Sequence, residues 1–225
     1  MQKRSIKDIY EVQSINSKET HEWLLHKHYA KRIPSIIYSF GLYNNLELCG
    51  VMTIGNSPSK DLTHHLLNGK YIQKIYELNR LCVNENLEKN ILSYFVSNAL
   101  KKLPKPTCLV SYADTSQNHN GYIYQATNWL YTGLSYKMNE WREKNTNKHS
   151  RNLCNLYTTD FMKANPDRFY RIERPRKHRY IYFVGTKAQK KDMLKNLKYK
   201  IELYPKGKNK RYDASYKPTI QARLF

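Results

Sequence analysis

The sequence predicts an α/β protein: a mixed central sheet flanked by helices, with a basic C-terminal extension. Three observations predict it. Two apolar runs, 35–43 and 47–55, flank Asn44-Asn45, a hairpin signal because asparagine tolerates the positive φ such turns demand. Residues 86–102 repeat Leu87, Ile91, Leu92, Phe95, Val96, Ala99 and Leu100 at the spacing of one helical face, and a short apolar run at 108–112 follows. Past Asp160 the composition turns basic: residues 161–225 hold 19 Lys and Arg against 5 Asp and Glu. Residues 1–160 are therefore expected as the main domain, with 161–225 packed on it.

Taken in order, residues 18–31 predict a first helix, with Ser17 as N-cap and Pro34 as the stop. The hairpin follows, and 61–69 reads as a short helix closed by Gly69. Residues 71–83 form a strand candidate with polar groups along it, in which Arg80 breaks strict alternation. Pro104 and Pro106 end the 86–102 helix. The strand at 108–112 runs into Ser111, Tyr112 and Asp114. A polar loop (115–120), Gly121 and a short helical pattern through Tyr124 come next. Strand, polar loop and helix is the layout in which an open sheet gathers reactive groups at its carboxyl edge, although Asp114 as a simple helix cap explains the same residues. Further strands are expected at 130–138, 153–159 and 180–185, a polar loop after Trp141, and a basic helix at 187–198. The tail from Tyr204, rich in Lys and Pro, is expected to order only against a partner.

Composition narrows the function classes. No run of about 20 apolar residues exists, so no membrane span is expected. The basic N-terminus has no apolar segment behind it, which argues against a secretory signal. Cys49, Cys82, Cys108 and Cys154 stand apart in apolar stretches and read as buried thiols of a reducing, cytoplasmic compartment. The net charge of +21, interleaved with 20 tyrosines, is the footprint of a protein that binds a polyanion, with nucleic acid first. Arg171, Arg174, Arg176, Lys177, His178, Arg179 and Tyr180, with Lys206 and Lys208 in the tail, are the candidate contacts to backbone phosphates.

Several residues carry candidate chemistry. His28, beside Tyr29 at a helix end, can supply a base, a metal ligand or a stacking surface; a surface histidine facing the helix dipole is the bland alternative. Glu77 and Asn79 lie along a strand. A carboxylate there can act as general base toward an amine, or merely pair with a cation near Arg80. Asp114 and Tyr124, across one loop, can converge on a small cleft where a carboxylate takes a proton and a phenol orients the reactants. Ser111 and His119 flank them as candidate substrate contacts.

The order of strands and helices resembles the GCN5-related N-acyltransferase (GNAT) fold. That family binds the coenzyme A pyrophosphate on a glycine turn at the start of the amphipathic helix. Here the turn reads VNENLEKN, without glycine and with Glu85 and Glu88. A narrower resemblance rests on HYAKRIPS, ELNRLCV, SYADTSQNHNGYIYQATNW, HRYIYF and YPKG, which together are similar to the phage Mom proteins. These convert adenine in DNA to its N6-carbamoylmethyl form and protect phage DNA from restriction. The resemblance implies His28, Tyr29, Arg80, Asp114 and Tyr124 as functional residues, double-stranded DNA as acceptor and the host cytoplasm as location. It leaves three donor chemistries open: acetyl-CoA, an iron site on His28, Tyr29, Asp114 and Tyr124, and glycine delivered on tRNA. The missing glycine turn favours glycyl-tRNA. A homodimer is left open.

Overall fold

The computed structural model describes residues 5–57, 59–146, 148 and 150–207. The chain enters through α1 (Ile6–Ile9) and β1 (Tyr10–Ser14), then a 3-10 turn (Ser17–Thr20) and a π-helical turn (Trp23–Lys27). The hairpin β2 (Tyr38–Asn44) and β3 (Glu47–Asn56) leads through α2 (Lys60–Leu66) to β4 (Ile75–Val83). Next come α3 (Ile91–Lys101), β5 (Thr107–Asp114), α4 (Tyr122–Ala126) and β6 (Leu130–Leu134). The last part holds β7 (Met138–Glu143), α5 (Ser150–Leu156), α6 (Thr159–Ala164), β8 (Phe169–Arg174), β9 (Lys177–Val184) and α7 (Lys187–Asn196).

Seven strands form one mixed sheet in the order β1-β2-β3-β4-β5-β9-β6, while β7 and β8 pair separately. All pairs in the large sheet are antiparallel except β4 with β5. That parallel step follows from the α3 crossover, since parallel neighbours cannot be joined by a tight turn. Phe95, Val96 and Ala99 of α3 and Tyr124 of α4 cover one face, against Leu42, Met52, Leu78 and Leu109. Leu62 and Leu66 of α2 and Met193 of α7 cover the other, against Ile75, Val110 and Ile181. Trp23 and Leu24 extend that layer over Val51 and Cys82. A mixed sheet between helical layers is the fold class the sequence predicts. Among the described residues, no helix is long and apolar enough to cross a membrane.

The structure corrects four expectations. The segment 18–31 is not one helix: Asn16, not Ser17, accepts from Lys18 N at 2.9 Å, and the π turn ends at Lys27. Residues 153–159 form no strand: 153–156 end α5 and Thr159 opens α6, and Leu153 of the one and Met162 of the other bury against Phe169. The chain beyond 160 is no outer extension, since β9 lies between β5 and β6 and the sheet is incomplete without it. Finally, Cys49, Cys82 and Cys108 are buried but Cys154 is exposed.

Candidate active site

The site begins with a defect in pairing. β4 and β5 pair only over Ile75–Glu77 and Cys108–Val110, and past those three pairs a fork opens. At the fork the Ser111 hydroxyl donates to the Leu78 carbonyl at 2.7 Å, where a backbone donor would otherwise sit. A hydroxyl has one hydrogen, so in the second Ser111 contact, 2.7 Å from Tyr124 Oη, the phenol donates. Ser111 is 1% exposed and braces Tyr124 from beneath instead of touching substrate. Tyr124 is itself wedged between Trp129 and Tyr180, with ring centroids at 5.1 and 5.0 Å.

A second defect lies in β4. The β3 partner register jumps from Thr53↔Arg80 to Ile54↔Leu78, leaving Asn79 as the extra residue of a bulge. On a regular strand Glu77 and Arg80, an odd number apart, would point to opposite faces. The bulge puts both on one face, leaving Leu78 and Leu81 together on the other. Asn79 helps to hold this shape, since its amide donates to Ser35 O at 2.9 Å and accepts from Thr53 Oγ1 at 2.6 Å. It also lines the cleft.

Above the fork runs a cleft of about 1960 Å³, whose wall includes His28, Tyr29, Glu77, Arg80, His119 and Tyr124. Residues 50 to 100 positions apart in sequence thus share one cavity. Asp114 and Ser111 are not part of its lining. The π turn delivers His28: its N–H closes the turn onto Trp23 O at 2.9 Å. His28 is 5% exposed, so it is no surface histidine. Burial first, then Arg80 and His119 beside it, lower its pKa to about 3, and the ring is neutral near pH 7. Its Nδ1 accepts from Ala30 N at 3.1 Å, which places the ring proton on Nε2. Tyr29 stacks on His28 at 4.5 Å and meets the His119 ring edge-on at 5.8 Å.

Charge in the cleft is uneven. Arg80 is 9% exposed, donates from Nη1 to Asn79 O at 2.6 Å, and has a buried Nε without a hydrogen-bond partner among the described residues. Burial and the neighbouring Arg32 both lower its pKa. Arg32, which sequence analysis passed over, therefore forms a second cation of the same wall, and HYAKRIPS carried it in plain sight. Glu77 is the counter-charge. Burial raises the pKa of Tyr29, Tyr112 and Tyr124, and the Glu77 carboxylate raises all three further.

Asp114 stands differently from its expected role. Burial would raise its pKa, but hydrogen bonds from Lys177 and Ser116 outweigh that and hold it below the ordinary carboxylate range. Lys177 Nζ lies 2.8 Å from Oδ2, while Ser116 N and Oγ reach Oδ1 at 3.0 and 2.6 Å. The carboxylate thus caps the turn Thr115–Gln117 that carries the chain to His119, and it fixes Lys177 in the cleft wall. The iron site expected on His28, Tyr29, Asp114 and Tyr124 does not fit this arrangement. Both Asp114 oxygens serve Lys177 and Ser116, Tyr124 donates to Ser111, and no cluster of three His, Cys, Asp or Glu exists among the described residues.

Coenzyme A fits poorly for another reason. Asn86 and Asn90 take the left-handed φ of +58° and +71° that glycine would take, so the turn has the backbone shape without the bare surface. Glu85 is paired with buried Lys27 at 3.1 Å and Glu88 accepts from Tyr10 Oη, which moderates their repulsion of a pyrophosphate.

Besides Lys177, four of the nine expected nucleic-acid contacts are held by internal partners. Tyr180 is fully buried and donates to Asn120 O at 2.5 Å. Arg179, 5% exposed, donates to Thr132 Oγ1 and O at 3.0 and 2.9 Å and lies 3.4 Å from the Tyr199 ring centre. His178 lies 2.8 Å from Tyr131 Oη with a pKa lowered by burial, and Arg176 donates to Ser135 O at 2.6 Å. Arg179 and Tyr180 lie in β9, between β5 and β6, and are buried there, while His178 and the preceding Arg176 are half-buried. Arg171, Arg174 and Lys206 are exposed; Lys208 lies outside the described residues.

Residues 9–206 match the family model of the Mom protein family. The chain is 25% identical over 190 residues to the methylcarbamoylase mom of Escherichia phage Mu, covering 80% of this chain and 77% of that protein. Solved structures similar to it include a GNAT-family acetyltransferase from Streptococcus pneumoniae, with TM-score 0.41 and 10% identity over 78% of this chain and 99% of that one. NAA60 from Arabidopsis thaliana in complex with acetyl-CoA matches with TM-score 0.43 and 11% identity over the same shares. At those scores neither substrate nor cofactor transfers to this chain. The matched segment contains every strand of the sheet and every wall of the cleft, and the chain belongs to the Mom protein family.

Proposed function

We propose that this protein transfers a glycine-derived carbamoylmethyl group to N6 of adenine in double-stranded DNA, within the cleft above the β4–β5 fork, and so protects the DNA from restriction. The observation that carries this is a cleft wall combining a neutral imidazole, phenols, carboxylates and guanidinium groups, in a chain whose family includes a methylcarbamoylase.

The exocyclic amine of adenine is a weak nucleophile because its lone pair is delocalised into the ring, so a proton must leave as the new bond forms. Glu77, the cleft-wall carboxylate that shares a strand face with Arg80, is the group we assign to accept it. His28 carries its proton on Nε2 and serves as a neutral hydrogen-bond donor that polarises the ester carbonyl of the glycyl donor. Attack by N6 there expels the tRNA 3′-hydroxyl and gives the N6-glycyl amide. Its amine then attacks C6 through a five-membered ring and displaces the original N6 as the carboxamide nitrogen of the carbamoylmethyl product. Arg80 and Arg32 hold an anionic part of the donor or a phosphate. Tyr29, 37% exposed, offers its face to the base. Asp114 acts through Lys177. Reaching N6 requires extruding the nucleotide from the duplex, which a cleft walled by aromatic rings accommodates. The asparagine turn supports glycine carried on tRNA over acetyl-CoA as donor, and a second polyanion suits the net charge of +21.

The test is to incubate purified protein with duplex DNA and glycyl-tRNA, acetyl-CoA or neither, then digest to nucleosides for tandem mass spectrometry. Fragmentation is needed because glycyl and carbamoylmethyl substituents are isomers. Modified deoxyadenosine with glycyl-tRNA supports the proposal. Product with acetyl-CoA alone defeats the donor assignment, and an unmodified duplex alongside a modified tRNA or protein defeats the acceptor.

A further inference from the structure

Antiparallel neighbours such as β6 and β9 are commonly joined by two to five residues. Here residues 135–176 lie between them, and they build a separate unit. Its base is clamped to the sheet: Ser135 N donates to Lys177 O at 2.8 Å and Lys177 N to Ser135 Oγ at 2.9 Å. It has a core of its own in Leu153, Met162 and Phe169. Arg168 locks that core, donating to Glu143 at 2.7 Å and lying 4.9 Å from the ring centres of Tyr157 and Phe169. The β7–β8 ribbon is therefore held rigidly, and it stands at the mouth of the cleft.

Register decides which face meets the cleft. Met138↔Arg174 and Arg142↔Tyr170 are opposite pairs on one face, whereas Glu143↔Phe169 turns toward the small core. Met138 and Arg174 line the cleft, together with Tyr136. Tyr136 is 75% exposed and Met138 59%, an unusual display of large side chains for a soluble surface. The unit carries 10 Lys and Arg against 5 Asp and Glu. Two of those carboxylates are withdrawn: Glu143 lies under Arg168 and Lys148, and Glu140 is bonded to Arg142. The outward surface is cationic, with an aromatic tip at the cavity rim. Six residue pairs extend roughly 20 Å, about the length of six base-pair steps.

We propose that the β7–β8 ribbon is the docking surface for the DNA duplex, and that Tyr136, backed by Met138, enters the base stack where the target adenine leaves it. Arg174, on the face that lines the cleft, contacts a phosphate beside the inserted side chain, whereas Arg171 pairs with Trp141 on the opposite face and lies over its ring. This rests on the proposed DNA modification. An inserted side chain is what an enzyme needs to keep an extruded base from falling back, since unstacking is unfavourable without a replacement.

The experiment uses the full chain and a duplex in which the adenine modified by wild type, once mapped, is replaced by 2-aminopurine. Wild type should raise the fluorescence on binding. Tyr136→Ala should bind within about 3-fold of wild type yet lose the rise and modify adenine roughly 10-fold more slowly, the scale of one lost stacking contact. Tyr136→Phe should behave as wild type. Arg174→Ala should flatten the dependence of log affinity on log salt by about one unit, whereas Arg171→Ala, on the opposite face, should leave it unchanged. Unchanged fluorescence and rate in Tyr136→Ala would overturn the inserted tyrosine, and an unchanged salt slope in Arg174→Ala would overturn the docking surface. A wild type that binds the duplex with ribbon-dependent salt slopes but modifies no adenine defeats the proposed function and leaves the docking surface standing.

Discussion

Replacing Ser111 with alanine removes the hydroxyl that closes the β4–β5 fork. Two buried bonds of 2.7 Å are lost, to the Leu78 carbonyl and from the Tyr124 phenol. Each is worth about 1 kcal/mol net, and both orphaned groups lie where Ser111 itself is only 1% exposed. The total cost comes to about 2–4 kcal/mol. For a chain of this length that lowers Tm by roughly 5–15 °C. Tyr124→Phe alone should cost about 1 kcal/mol, because Ser111 still has Leu78 as acceptor. The double variant has no orphaned phenol, so it should be more stable than the sum of the single losses by about 1–2 kcal/mol. Urea unfolding of wild type, both singles and the double variant measures this coupling. Additivity within about 0.5 kcal/mol would mean that the two hydroxyls are not bonded, and that Tyr124 is not held by the fork.

Three other outcomes are expected. The folded His28 pKa of about 3 against 6.5 when free means that the unfolded chain takes up the proton first. Stability should be complete above about pH 6.5 and fall as pH drops from there toward 3, by up to about 1.4 kcal/mol per pH unit. His28→Phe should remove that slope in urea midpoints taken between pH 7 and 5, and identical slopes would contradict a buried neutral imidazole. Glu77→Gln should reduce modification in the nucleoside assay by about 100-fold or more, the range for a proton-transfer group. Asp114→Asn, which weakens the hold on Lys177, should lose less; the reverse order would reassign the base to Asp114. Arg179→Ala should destabilise by about 2–4 kcal/mol through its lost bonds to Thr132 and its stack on Tyr199. Its DNA affinity per folded molecule should match wild type in a filter-binding titration, and a loss of affinity without a loss of stability would refute its structural role.

Much of this protein was written in its local sequence. Periodicity located the β2–β3 hairpin and α3, because an amphipathic face and asparagines at a turn act over a few residues. Net charge called for a polyanion. The motif residues His28, Tyr29, Arg80 and Tyr124 were implied by the family resemblance, and the structure brings them to one cleft. What the sequence could not determine was which neighbour each polar group would find. The basic run 171–179 looked like a uniform binding surface until strand order put β9 inside the sheet, where a cation must pair or stack to remain buried. The bulge at Asn79 set Glu77 and Arg80 on one face, and Lys177 converted Asp114 from a free carboxylate into a bonded one. Local pattern fixes which elements form. Register, strand order and long-range partners decide what a side chain is for, since hydrogen bonding and burial depend on groups that lie far apart along the chain.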